Sequence, residues 1–141
     1  AKVLSDLPSE SKYRPMFEKH YLDMAESIIA CQQNEGYWTR SLLDPDHAPG
    51  YETSGTAFYT YGLLWGINNG YFKDKKHRKA ALKGWKYLAE IALQADGKVG
   101  YVQPIGEKAI PGQVVDKNST ANFGVGAFLL AASEMYRYSL K

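Results

Sequence analysis

The sequence has little of what most often announces a chemistry. Its one cysteine, Cys31, excludes an internal disulfide and a cysteine-based metal site. No window of about eighteen residues is apolar throughout, so no segment is expected to span a membrane. Net charge is only +2, and the densest basic stretch, "KDKKHRK" at 73–79, is short. Nucleic-acid binding needs basic charge concentrated on one face; this stretch reads instead as the solvated start of a helix. "GVG" at Gly124 lacks the third glycine and the preceding strand of a dinucleotide fingerprint. "DPDH" sets one histidine, His47, beside Asp44 and Asp46, a weak signal for a carboxylate pair or a metal. Turn chemistry explains that pattern. His20 and His77 fall among charged neighbours and read as solvated.

What the chain does have is aromatic residues: 11 Tyr, 5 Phe and 3 Trp among 141 residues. These can build a core, and tyrosine at this density also lines sugar-binding surfaces. The length suits one domain. A hydrophobic fraction of 45% and a charged fraction of 23% are ordinary for a globular chain.

Hydrophobic spacing predicts helices throughout. "AKVLSDLP" places Val3, Leu4 and Leu7 on one helical face, and Pro8 stops it. It reads as the last turns of a helix that begins upstream. From about Tyr13, the set Phe17, Tyr21, Met24, Ala25, Ile28 and Ile29 keeps helical spacing, and Gly36 can take the left-handed conformation beyond it. A loop with two prolines follows. The next helix opens at "TSGT", where Thr53 or Ser54 is a natural N-cap, and closes at "NNG". A fourth helix spans roughly His77 to Leu93, and a last one about Ala121 to Tyr138. "VGYVQP" between them suggests a short strand.

The chain repeats itself. Helix, "QQNEGYW", long loop and "TSGTAFYTYGLLWG" are followed by helix, "LQADGKVGY", long loop and "NSTANFGVGAFLLA". The offset is roughly 60 to 65 residues. In each unit a helix with a charged face precedes one almost free of charge. The first kind sits outside and the second is buried. Gly55, Gly62 and Gly66 would each cost such a helix about 1 kcal/mol relative to alanine, which close packing of inner helices would explain. The expected fold is all-α: a partial α/α toroid of two helical hairpins plus an N-terminal helix tail. Two hairpins do not close a ring. Residues 1–141 are therefore expected to be a segment of a longer protein, or a half-ring forming a homodimer through its exposed inner faces.

"QQNEGYWTRSLLDPDHAPGYETSGTAFYTYGLLWGINNGYF" and "FGVGAFLLAASEMY" resemble segments of the unsaturated rhamnogalacturonyl and glucuronyl hydrolases, glycoside hydrolase families 105 and 88. The resemblance runs in order from Leu4 to Tyr136. It implies that the toroid is an incomplete six-hairpin barrel, with residues 1–141 as a C-terminal fragment of an α/α six-hairpin glycosidase domain. It implies a bacterial enzyme that acts on an oligosaccharide ending in a 4,5-unsaturated uronic acid, by hydrating the double bond without metal or cofactor. It also implies a catalytic aspartate in a segment with no counterpart here, so the isolated chain is expected to be inactive and to hold no catalytic residue. The alternative is a non-catalytic carbohydrate-binding or scaffold module on the same helices. Cytoplasm and periplasm remain equally compatible.

Six residues are candidates for contact with substrate. Trp38 either stacks on a sugar or anchors its loop in the core. Tyr51 flanks the same loop, and Tyr101 is a weaker candidate of that kind. Glu52 either lines the pocket rim or answers the positive end of a helix. Ser54 and Thr56 either cap and pack, or meet a uronate carboxylate beside free helix amides. Asn122, with Asn118, Ser119 and Thr120, takes the equivalent place one repeat later. Trp65 and Trp85, in mid-helix, are expected in the core.

Overall fold

Prolines, glycines and two acidic caps set the helix boundaries. The computed structural model describes residues 1–106 and 108–141. Helix α1 (Lys2–Asp6) ends ahead of Pro8, and only its Leu4 is buried. Arg14 holds it, donating from Nη2 to the carbonyls of Leu4 at 3.0 Å and Leu7 at 2.8 Å. Those carbonyls have no partner within so short a helix. Helix α2 (Arg14–Ala30) carries Pro15 in its first turn, where a missing amide hydrogen costs nothing. Only Tyr21 and Ala25 of α2 are buried. It is an outer helix.

Helix α3 (Thr53–Asn68) is the inner one: nine of its residues are buried, among them Leu63, Leu64 and Trp65. It packs most extensively on α5 (Asn122–Ser139) and next on α4 (Lys75–Tyr87). Two apolar clusters result, one around Tyr21, Trp38, Leu64 and Trp65, the other around Tyr87, Leu88, Val102 and Phe128. Trp85 packs against the second while remaining half-buried. At the far ends of α3 and α5, Asn68 Nδ2 donates to Glu134 Oε2 at 2.7 Å and to the Glu134 carbonyl at 2.9 Å. Glu134 is buried, and its other oxygen accepts from Arg137 at 2.8 Å.

The sequence repeat is a structural repeat. Gln33 N donates to the Tyr37 carbonyl at 2.9 Å, and Gln94 N to the Lys98 carbonyl at 2.7 Å. Within each turn the glycine amide donates back to the glutamine carbonyl at 2.9 Å. Gly36 and Gly97 have φ of +99° and +85°, the left-handed region that favours glycine.

Three expectations are corrected. The fourth helix begins two residues early because Asp74 caps it, accepting from His77 N at 3.0 Å. Its last stretch, Leu88–Ala92, widens into a π-helical turn, with Leu93 N reaching back five residues to the Leu88 carbonyl. "VGYVQP" forms no strand. Leu93 and Val99 make an isolated bridge, and the amides of Tyr101 and Val102 go to the carbonyls of Asp116 and Ser119. His77 is buried rather than solvated. Its ring lies on that of Phe72 at 4.0 Å, with Nδ1 2.8 Å from Asp74 Oδ2 and Nε2 3.3 Å from Glu26.

The glycines of α3 differ among themselves. At Gly66 a Cβ would overlap the Tyr21 hydroxyl and the Phe72 ring, so the close neighbours come from α2 and the following loop rather than from another inner helix. At Gly62 nothing lies within 4 Å. That position opens onto an apolar groove of about 230 Å³ lined by Met24, Ile28 and Phe58 among others. Among the described residues no helix is long and apolar enough to cross a membrane.

Candidate functional site

Connections from outer to inner helices are long (31–52 and 93–121), whereas α3 reaches α4 through the short stretch 69–74. Both long loops rise at the N-terminal ends of α3 and α5. Long loops on a rigid scaffold are where binding residues concentrate, which makes this end of the bundle the mouth.

Glu52 organises the mouth. It, and not Thr53 or Ser54, is the N-cap of α3, with extended backbone at φ −142° and ψ 118°. Its Oε1 accepts from Ser54 N at 2.8 Å and Ser54 Oγ at 2.7 Å, and its Oε2 from Gly55 N at 2.7 Å. A carboxylate here satisfies free helix amides and meets the positive end of the dipole. Gln103 N adds a longer bond to Oε1 at 3.3 Å, tying the second loop to the start of α3. The cap is buried, at 2% exposure.

Ser54 and Thr56 are buried with it. Thr56 Oγ1 donates to the Glu52 carbonyl at 2.6 Å and accepts from Trp38 N at 3.0 Å. Trp38 is 1% exposed, its Nε1 donates to the Ile28 carbonyl at 2.7 Å, and its ring meets Tyr59 edge-on at 5.4 Å. These four residues build the wall of the mouth from behind. Thr53 lies in the same layer. Its Oγ1 donates to the Gly100 carbonyl at 2.7 Å and lies 2.9 Å from the Tyr87 hydroxyl.

Tyr51 and Asn122 are in front. Tyr51 is half-buried and Asn122 exposed. Tyr51 sits among three other tyrosines, with ring centroids 4.9 Å from Tyr37, 5.3 Å from Tyr87 and 5.2 Å from Tyr101. Burial, then the Glu35 carboxylate, pushes the Tyr51 hydroxyl above its ordinary range, so it stays a donor. Tyr101 has φ of +58° and is the one described non-glycine residue with positive φ. Such a backbone is costly for an aromatic residue and persists where surrounding bonds fix it. Here the Tyr101 carbonyl accepts from Thr53 N at 2.9 Å and its amide donates to Asp116 at 2.8 Å.

The two inner helices begin differently. Asn118 and Ser119 do not repeat the roles of Ser54 and Thr56; their amides donate to Asp116 Oδ1 at 2.8 and 3.1 Å, closing a turn before α5. The N-cap of α5 is Ala121, whose side chain makes no cap bond.

The sequence did not single out Arg40, Gln103, Gln113 or Phe123, which the fold gathers around one cavity at the mouth. Arg40 and Gln113 lie 73 residues apart and hydrogen-bond through Nη1 at 3.1 Å. Among the described residues Arg40 Nε is buried without a partner. An unmet buried donor of this kind costs roughly 1–3 kcal/mol. The only sequence signal was an arginine in a proline-rich loop. Asp44 and Asp46 do not converge with His47, whose Nε2 lies 3.3 Å from the Ala109 carbonyl. Among the described residues no group of three or more His, Cys, Asp or Glu could hold a metal.

Comparison with known proteins places this geometry. The chain is 42% identical over 137 residues to an unsaturated 3S-rhamnoglycuronyl hydrolase of Formosa agariphila, covering 97% of this chain and 35% of that protein. The chain thus spans about a third of that relative's length. Two solved structures superpose with a TM-score of 0.93. One is a glycosyl hydrolase family 88 protein from Bacteroides vulgatus, 63% identical, covering 97% of this chain and 39% of that one. The other, described as a polysaccharide lyase, is 64% identical and covers 99% and 40%. The sequence model of Glycosyl Hydrolase Family 88 matches residues 1–139, nearly every residue from which this scaffold and its mouth are built, and the chain belongs to that family.

Proposed function

We propose that the protein carrying this chain is a glycoside hydrolase that removes a terminal 4,5-unsaturated uronic acid from rhamnose-containing oligosaccharides. One observation carries this: 42% identity, across 97% of the chain, with a relative named for unsaturated rhamnoglycuronyl hydrolysis. The expected chemistry is hydration. An aspartic acid protonates the vinyl ether carbon, water adds across the double bond, and the resulting hemiketal opens as the glycosidic bond falls apart. One carboxyl serving as acid and then as base is favoured where an apolar pocket raises its pKa.

In this proposal the chain supplies a wall of the pocket and not the acid. Both oxygens of Glu52 already accept hydrogen bonds, so we assign the acid–base carboxyl to another part of a protein of the relatives' length. Tyr51 and Asn122 are the candidates that face substrate. Trp38, Glu52, Ser54 and Thr56 act from behind, fixing the loop and the first turn of α3.

The test follows the ultraviolet absorbance of the unsaturated uronide, using the protein at its full encoded length. Hydrolysis removes the conjugated double bond, so absorbance falls. The 64% identity to a structure described as a polysaccharide lyase supports a second reading. A lyase creates that double bond, so absorbance would rise on intact polysaccharide. A flat trace with both substrate types would sink both readings and favour a non-catalytic carbohydrate-binding module.

A further inference from the structure

Helix α4 carries charge against its own dipole. Its 13 residues hold six cations, Lys75, Lys76, Arg78, Lys79, Lys83 and Lys86, and no Asp or Glu. The whole chain has 17 lysines and arginines and a net charge of only +2, so basic charge is concentrated here. Lys75, Lys76 and Arg78 fall in or beside the first turn, where the positive end of the helix disfavours cations. Lys75 with Lys79, and Lys79 with Lys83, are like charges four residues apart, a spacing that also works against a helix. Lys76 pairs with Glu26, and Lys86 lies 3.9 Å from Glu90. Neither the first-turn cations nor the like-charge spacing helps α4 to form.

The cations share one face. Ala80, Ala81, Gly84 and Tyr87 turn inward and are buried. On the opposite side Lys75, Arg78, Lys79, Leu82, Lys83 and Lys86 line a shallow hollow of about 450 Å³. Lys75 to Lys86 extends about 16 Å along the helix. The basic surface then turns the edge of the bundle. Arg78 also lines a second hollow, of about 610 Å³, with Lys73 and Lys141, where α3 and α5 end. Neither hollow shares a lining residue with the cavity at the mouth.

Lysine predominates on this face. An ammonium on a flexible stem is a point charge that answers a row of oxyanions without fixing the geometry of any one, unlike a guanidinium fork. Leu82 and the lysine stems supply an apolar floor. The matching partner is long, flexible and repeatedly anionic. A planar lipid surface does not meet the side of α4 and the end of the bundle together. Nucleic-acid strands call for aromatic side chains on which bases stack, and no aromatic residue lines the hollow on α4.

We propose that the outer face of α4 is a docking surface for an acidic polysaccharide, gripped along its uncut interior and away from the mouth. The bound polymer is not a substrate there, since the surface requires no unsaturated end. The choice of a polysaccharide rests on the oligosaccharide reading above, and the test needs no turnover.

The full-length protein is titrated with labelled polygalacturonate, dextran sulfate and neutral dextran, and with duplex DNA and phosphatidylglycerol vesicles as competing classes. Lys75→Glu combined with Lys79→Glu weakens binding of the acidic polymer roughly tenfold or more at low salt and flattens its salt dependence. Because carboxylates suit a helix start, thermal stability stays equal or rises. Lys12→Glu combined with Lys19→Glu, at exposed positions elsewhere, changes net charge equally and leaves binding nearly unchanged. Arg78→Gln weakens binding by a smaller factor and decides the matter if the double variant on α4 does not fold. Turnover of a short unsaturated oligosaccharide is the same in the parent and both α4 variants. Tighter binding of polygalacturonate identifies carboxylates as the anions, and tighter binding of dextran sulfate identifies sulfates. Polymer binding that is equal in the parent and every folded α4 variant overturns the proposal. So does an equal loss in the two double variants, or tighter binding of neutral dextran, DNA or vesicles. Polymer binding that depends on α4 in a protein with no ultraviolet activity upholds the surface and sinks the enzyme reading; ultraviolet activity without polymer binding does the reverse.

Discussion

Tyr87 donates its hydroxyl hydrogen to Thr53 Oγ1. The two oxygens are 2.9 Å apart, and Thr53 has already given its single hydrogen to the Gly100 carbonyl at 2.7 Å. Outer helix, inner helix and second loop therefore meet in one directed chain of hydrogen bonds, buried at both side chains. Tyr87→Phe leaves the ring packing in place and deprives Thr53 Oγ1 of its donor. We expect a loss of about 1–2 kcal/mol, measured as a lower urea midpoint with unchanged slope.

Tyr87, together with Tyr21, also sets an alkaline limit. Burial pushes the hydroxyls of Tyr87 and Tyr21 well above the ordinary tyrosine value. The folded chain then holds these protons more tightly than the unfolded chain. The stabilisation is fully present below the unfolded value of about 10 and is lost as pH rises toward the folded one. Urea midpoints should fall steeply above about pH 10 and less steeply in Tyr87→Phe. Equal slopes in parent and variant would refute the assignment.

Glu52 is predicted to matter through structure. Glu52→Ala removes the cap of α3 and should cost about 1–2 kcal/mol. Glu52→Gln keeps an acceptor at one oxygen and should cost less. Because Gln103 is tied to Glu52, both variants should raise KM more than they lower kcat. A collapse of kcat with unchanged stability would instead make Glu52 the acid.

Gly66 and Gly62 should respond oppositely to alanine. Gly66→Ala drives a methyl group into Tyr21 and Phe72 and should destabilise by about 1–3 kcal/mol. Gly62→Ala meets open space and should stabilise by about 0.5–1 kcal/mol through helix propensity. Thermal unfolding of the two variants side by side checks both signs.

Asn68→Ala strips Glu134 of a neutral donor inside the α3–α5 contact, leaving Arg137, itself half exposed, as its remaining side-chain partner. A loss of about 2–3 kcal/mol is expected. Asn68→Ala combined with Glu134→Gln should recover part of it, which a double-mutant cycle would resolve.

The helices were legible because their spacing is local. Tyr21 and Ala25 on α2 mark a face that periodicity alone exposes, and the near absence of charge marks α3 as the buried helix. The repeat was legible for the same reason, since Gln33-to-Gly36 and Gln94-to-Gly97 are complete turns within four residues. Asp74 as a cap and the π-helical turn were not anticipated. Each is decided by which of several competing bonds the packed neighbours leave available.

The mouth was legible only in part. Sequence picked out Tyr51, Glu52 and Asn122 as residues of one region. It could not rank Glu52 as a buried cap above Glu52 as a rim contact, because burial depends on where residues 100–103 lie. Nor could it join Arg40 to Gln113. By itself the sequence determined the helices, their inner and outer sorting, and the repeat, all of which follow from short-range periodicity and turn chemistry. Only the tertiary structure decided which of the mouth's residues are buried and which stay exposed, because that depends on two loops meeting from opposite hairpins, and no local preference encodes the meeting of distant chain segments.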